Sequence, residues 1–136
     1  MWGKAAIQRL STDCERCTIM SKIISFTTPG SFEPTSPPAD RLTAGQPLQG
    51  IWSAFSSPDG CFHLGQWRSS RGAWRVRYTE IEYCHLLQGR VRLSPDEGPS
   101  QVFETGDSFM INKGFSGTWE VLEDCLKWYA IYEPKA

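Results

Sequence analysis

Arg71-Gly-Ala-Trp-Arg-Val-Arg-Tyr-Thr-Glu-Ile-Glu-Tyr-Cys-His-Leu-Leu-Gln-Gly89 is the stretch whose reading decides the fold. After the turn glycine at position 72, Trp74, Val76 and Tyr78 share one face, and Arg75 and Arg77 take the other. A polar break at Thr79 and Glu80 follows. The alternation then resumes, with Glu82, Cys84 and Leu86 opposed to Tyr83, His85 and Leu87. Successive side chains of a strand point to opposite faces, so the pattern predicts two half-buried strands joined by a short loop. Gln88 and Gly89 close the second strand with a turn.

The same punctuation runs outward in both directions. Ile51–Phe55 and Phe62–Arg68 flank the turn formed by Ser57, Pro58, Asp59 and Gly60. Downstream come Arg90–Leu93, a turn at 94–98, Gln101–Glu104, a turn at 105–107, Ser108–Ile111, Trp119–Leu122 and Leu126–Tyr132. Many short strands, polar turns and no helical pattern predict an all-β jelly-roll barrel.

The spacing of Gly72, Glu82 and Gly89 resembles the first sequence motif of the cupins, and Gly106–Gly114 followed by Gly117–Val121 resembles the second. With Trp74, Tyr78, Tyr83, Cys84, Phe115, Trp119, Glu123 and Lys127, the chain is similar to small single-domain cupins over about Leu48–Glu133. These are grouped with the cupin domains of ureidoglycine aminohydrolase and the ethanolamine-utilisation Q protein. The resemblance implies a cupin double-stranded β-helix with an extended N-terminal arm. It also locates the metal-ligand positions of the metal-binding members. The two first-motif histidine positions fall on Val76 and Tyr78, and the second-motif histidine position falls on Gly117. Of the usual ligand set only Glu82 remains. One carboxylate without imidazoles makes a poor transition-metal site, so neither a metal nor another cofactor is expected.

Strand parity carried through the turns sends Trp74, Tyr78, Glu82, Cys84, Trp119, Lys127 and Tyr129 into the barrel as candidate ligand-binding residues. Polar groups converging in an apolar cavity are what a ligand site looks like. An inward Glu82 suffers desolvation unless a cation pairs with it, and Lys127 is the candidate partner. Two readings follow: a satisfied internal network, or a catalytic set of Glu82, Tyr78 and Lys127. Trp74 and Trp119 suit either a stacking platform or core filling. Phe115, between two glycines, is a candidate cover for the barrel mouth or an ordinary packed loop residue. His85 is out of step with Glu82 and should face away, while His63 is open in orientation, and a metal site from both needs a strand pairing that sequence does not reveal. Cys84 without a base beside it reads as a buried thiol rather than a nucleophile. Arg68, Arg71, Arg75 and Arg77 read as a solvated rim, with Arg75 and Arg77 placed to grip an anion.

At 136 residues the chain is long enough for one domain with one core. A net charge of -1 gives no electrostatic case for nucleic acid or an anionic membrane, and no apolar run reaches the roughly 18 residues of a span. Five cysteines are an odd number and point to a reducing, cytoplasmic setting. Residues 1–19, with an isolated Cys14-x-x-Cys17 pair, read as a non-native or disordered extension. Residues 20–47 read as an extended proline-rich arm in which regular strand and helix are not expected, apart from a strand at Ile23–Phe26. Residues 48–136 are then the barrel.

The functional expectation is a metal-independent protein binding a small polar or carbohydrate-like metabolite in the barrel. Alternatives are an isomerase or hydrolase using Glu82, Tyr78 and Lys127, or a sensor or interaction module using the arm at 28–47. Tyr83, Leu87 and the Ile23–Phe26 segment are candidates for a homodimer interface.

Overall fold

Two long strands organise the molecule. In the computed structural model, which describes residues 22–26 and 31–135, β6 (Ile81–Pro95) and β9 (Ser116–Tyr132) pair antiparallel along most of their length. Each is shared between the two walls of one curled sheet. The pairing slips at Leu86, Gln88 and Arg90, and Gly89 sits at the bend with φ +95°. A side chain there would collide with the Asp124 carbonyl oxygen and lie 2.7 Å from the Cys125 Cα. Glycine is therefore required both for the left-handed backbone and for the close approach of the two bends.

The remaining strands are β1 (Phe32–Thr35), β2 (Leu42–Ala44), β3 (Gln49–Ser56), β4 (Phe62–Ser69), β5 (Gly72–Arg77), β7 (Gln101–Glu104) and β8 (Ser108–Ile111). One wall runs β1-β3-β4, then the C-terminal half of β9, the N-terminal half of β6, and β8. The other runs β2-β5, then the N-terminal half of β9, the C-terminal half of β6, and β7. The two walls enclose a core in which Ile51, Trp67, Leu86, Val91 and Trp119 are wholly buried. Two antiparallel walls sharing bent strands form the expected all-β jelly-roll barrel.

Several boundaries differ from the sequence expectation. The strands predicted at 82–87 and 90–93 are one continuous β6, and those at 119–122 and 126–132 are one β9, because a bulge bends a strand without ending it. The arm is not free of regular structure. It contains β1, a 3-10 turn at Ala39–Arg41, and β2. Pro34 is tolerated because β1 is the outermost strand of its wall, where a missing N–H costs no ladder bond. Arg68 fastens it: its guanidinium lies 4.7 Å from the Phe32 ring centre and 5.4 Å from that of Trp52. Ile23–Phe26 is not a strand; the Phe26 ring instead rests 6.0 Å from that of Trp128. The expected extension at 1–19 lies outside the described residues.

Candidate functional site

Period-two geometry puts alternate residues of β5, β6 and β9 inside, and the predicted residues meet there. Trp74, Tyr78, Glu82, Cys84, Trp119, Lys127 and Tyr129 are all buried. The Lys127 ammonium lies 3.0 Å from Glu82 Oε2, and the Tyr78 hydroxyl donates to Glu82 Oε1 at 2.6 Å. Trp119 Nε1–H donates in turn to the Tyr78 oxygen at 3.1 Å. Lys127 Nζ also stands 3.4 Å from Cys84 Sγ. Trp74 and Trp119 stack at 7°, and Trp67 meets Trp119 nearly edge-on at 66°.

Burial shapes the proton chemistry of this network. Desolvation, reinforced by the Glu82 carboxylate, holds the Tyr78 phenol well above its ordinary value. Burial opposes the charge on Lys127, but the Glu82 carboxylate beside it more than offsets this, so the ammonium keeps its proton above the usual lysine range. Burial likewise pushes the Cys84 thiol up, which removes it as a nucleophile at neutral pH. Tyr78 and Lys127 thus retain their protons, which is a poor disposition for general-base chemistry.

The residues do not fit a transition metal. Both oxygens of Glu82 already have partners, one of them a cation that would repel a divalent ion. Val76 offers no donor, and a side chain at Gly117 would collide with the Ser94 carbonyl oxygen and crowd Phe115 and Pro95 at 2.9 Å. His85 faces outward and bonds Ser108 Oγ at 2.8 Å, while buried His63 is held by Ser56 at 2.9 Å and the Gly60 carbonyl at 3.0 Å. Among the described residues no group of three or more His, Cys, Asp and Glu side chains converges.

Beside the network lies a cavity of about 440 Å³ that sequence reasoning largely missed. Leu93, Pro95, Phe103, Phe109, Met110, Ile111 and Phe115 give it an apolar wall, and Gln101, Asn112 and Lys113 add polar groups. Phe103 and Phe109 stack at 4.0 Å. None of the inward residues predicted as ligand-binding lines this cavity. Phe115, the suggested cover of the mouth, is part of its wall, and its ring stands edge-on to Tyr78 at 5.9 Å. Its loop is tied to Tyr78 by two backbone bonds, Tyr78 N–H to the Phe115 carbonyl and Gly114 N–H to the Tyr78 carbonyl. Phe109 approaches Trp119 at 6.2 Å. Aromatic rings therefore separate the cavity from the polar network. Trp67 was also missed, because the inward face of its strand reads His63, Gly65, Trp67, Ser69 and does not look like a core.

The arginines proposed as a rim are divided among separate tasks. Arg75 forms a two-point bridge to Asp96, at 2.7 and 2.9 Å, and Ser116 donates to the same carboxylate at 2.7 Å. Arg68 clamps β1, and Arg77 is exposed.

Fold and site together define a cupin barrel whose centre holds an internal ion pair. Residues 56–129 match the EutQ-like cupin domain, and the chain belongs to that family. A Pseudomonas syringae pv. tomato protein of unknown function is 25% identical with a TM-score of 0.68, over 75% of this chain and 44% of that longer one. The Clostridium difficile EutQ protein is 18% identical, TM-score 0.58, over 74% of this chain and 75% of its own. The cupin domain of Schizosaccharomyces pombe Cnp3 is 13% identical, TM-score 0.54, over 63% and 61%. The last two likenesses speak to fold alone. No curated protein sequence matches the chain.

Proposed function

We propose that this protein is a metal-independent binding cupin that takes a small metabolite in the cavity beside the ion pair. The observation that carries the reading is the pairing of an apolar, aromatic-walled cavity with a polar network sealed behind it. A wall of Phe103, Phe109 and Phe115 favours a ligand with a flat or apolar body, and stacking against such rings also suits a sugar face. Lys113 is the one charged residue among those lining the cavity, and it favours a polar or anionic head. In this reading Glu82, Tyr78 and Lys127 form a buried network outside the cavity and do not turn substrate over. Free thiols at Cys61, Cys84 and Cys125 support a reducing, cytoplasmic setting. No helix among the described residues is long and apolar enough to cross a membrane.

The test is a screen of benzoate, its para-substituted analogues and methyl glucosides against labelled protein by NMR. Binders should shift the resonances of Phe103, Phe109 and Phe115. Lys113→Glu should weaken an anionic binder by about threefold to tenfold. Glu82→Gln should leave affinity unchanged within error, with no conversion of ligand in either form. Turnover that vanishes in Glu82→Gln would replace this reading with the hydrolase or isomerase one.

A further inference from the structure

Lys127 is an ammonium enclosed on several sides by groups that recognise ammonium. Its Nζ lies 4.5 Å from the ring centre of Trp119 and 4.7 Å from that of Trp67. Those two rings meet at 66°, so they present two walls of a corner to the cation. The Glu82 carboxylate closes another side at 3.0 Å, and Tyr78 fixes that carboxylate from its other oxygen. Trp119 contributes its face to the cation and its N–H to the Tyr78 hydroxyl, so one indole holds both parts of the arrangement. Indole faces attract a cation through the ring quadrupole, most strongly where water is excluded, and the carboxylate supplies the counter-charge. Lys127 and Glu82 are both wholly buried, so water is excluded here.

We infer that the barrel centre is an alkylammonium-binding cage, built from Trp67, Trp119, Glu82 and Tyr78, and occupied by the chain's own Lys127 as a tethered ligand. The ligand class it takes, once the tether is removed, is a small primary ammonium. This inference concerns the sealed centre and is independent of what binds the neighbouring cavity.

Truncation to Lys127→Ala should lower the melting temperature and empty the cage. Ethylammonium or propylammonium chloride at tens of millimolar should then raise the melting temperature of this variant by at least about 3 °C over sodium chloride at equal ionic strength. The same salts should leave the wild type unmoved, and propanol should not substitute for them. Adding Glu82→Gln to Lys127→Ala should abolish the rescue. Equal effects of sodium chloride, propanol and the alkylammonium salts would overturn the proposal. If Lys127→Ala does not fold, lysine-selective 15N NMR of the wild type decides the matter. A slowly exchanging NH3+ displaced upfield by ring currents is expected, and a neutral or freely exchanging amine at pH 7 would refute the cage.

Discussion

His63 shows how one side chain can make stability depend on pH. It is buried, its ring bonded to Ser56 on one nitrogen and to the Gly60 carbonyl on the other. A carbonyl only accepts, so Nε2 carries the proton and Nδ1 accepts from the serine hydroxyl. Burial depresses its pKa below 6.5, outweighing the Gly60 bond and the pull of Glu133 and Asp59. The unfolded chain therefore takes up a proton at this residue before the folded one does. The stabilising contribution is whole above about pH 6.5 and is lost as the pH falls below that value and through the lower folded pKa. Urea denaturation between pH 7 and 5.5 should show wild-type stability falling, with a visibly flatter slope in His63→Gln. Parallel slopes would remove His63 from the account. At this scale the sequence was readable where strand period alone decides the matter. Glu82, Cys84, Lys127 and Tyr129 point inward because alternation continues unbroken through their strands. Phe103, Phe109 and Lys113 were not legible as a cavity, since its wall forms only when β6, β7, β8 and the 112–115 loop converge.

Among the elements, the bend shared by β6 and β9 positions the site, because it lets one strand place Glu82 in one wall and Leu93 in the other. Gly89→Ala should be costly for two reasons, a φ of +95° and the collision with the Asp124 backbone. Strain of this kind costs about 1–3 kcal/mol, and the backbone displacement adds to it, so a total loss on the order of 3 kcal/mol is expected. Gly60→Ala is the matched control. Its φ is +75°, but a side chain there meets nothing within 4 Å, so only the conformational part, about 1 kcal/mol, should be lost. Chemical denaturation of both variants measures the difference, and equal losses would show that the crossing of the strands is not tight. The bend itself was hidden in the sequence. Gln88-Gly89 reads as a turn, and a turn and a bulge use the same residue for the same backbone angle. The arm strands β1 and β2 were hidden for another reason: proline argues against a strand only where both edges must be paired.

The whole molecule presents a wall with apolar residues on both faces. Along β6 the inward Glu82, Cys84 and Leu86 alternate with outward Ile81, Tyr83, His85 and Leu87. Across that outer face Tyr83 pairs with Met110 on one side and Ala130 on the other, and Ala130 pairs with Leu64. Ile81 and Phe62 both flank Tyr132. Tyr83, Met110 and Tyr132 are 47%, 62% and 49% exposed. An antiparallel sheet with one face in water ordinarily alternates apolar with polar residues, and this outer face does not. We propose that a second copy meets the patch about a two-fold axis, the commonest oligomer symmetry, and covers it with the same residues. Light scattering at tens of micromolar should therefore give twice the 15.4 kDa chain mass. Tyr83→Glu places a charge at the centre of the patch, where it loses water on association, and should shift the protein to monomer without lowering its melting temperature at low concentration. A wild-type monomer at that concentration, or a Tyr83→Glu dimer as tight as the wild type, would rule this face out as the contact.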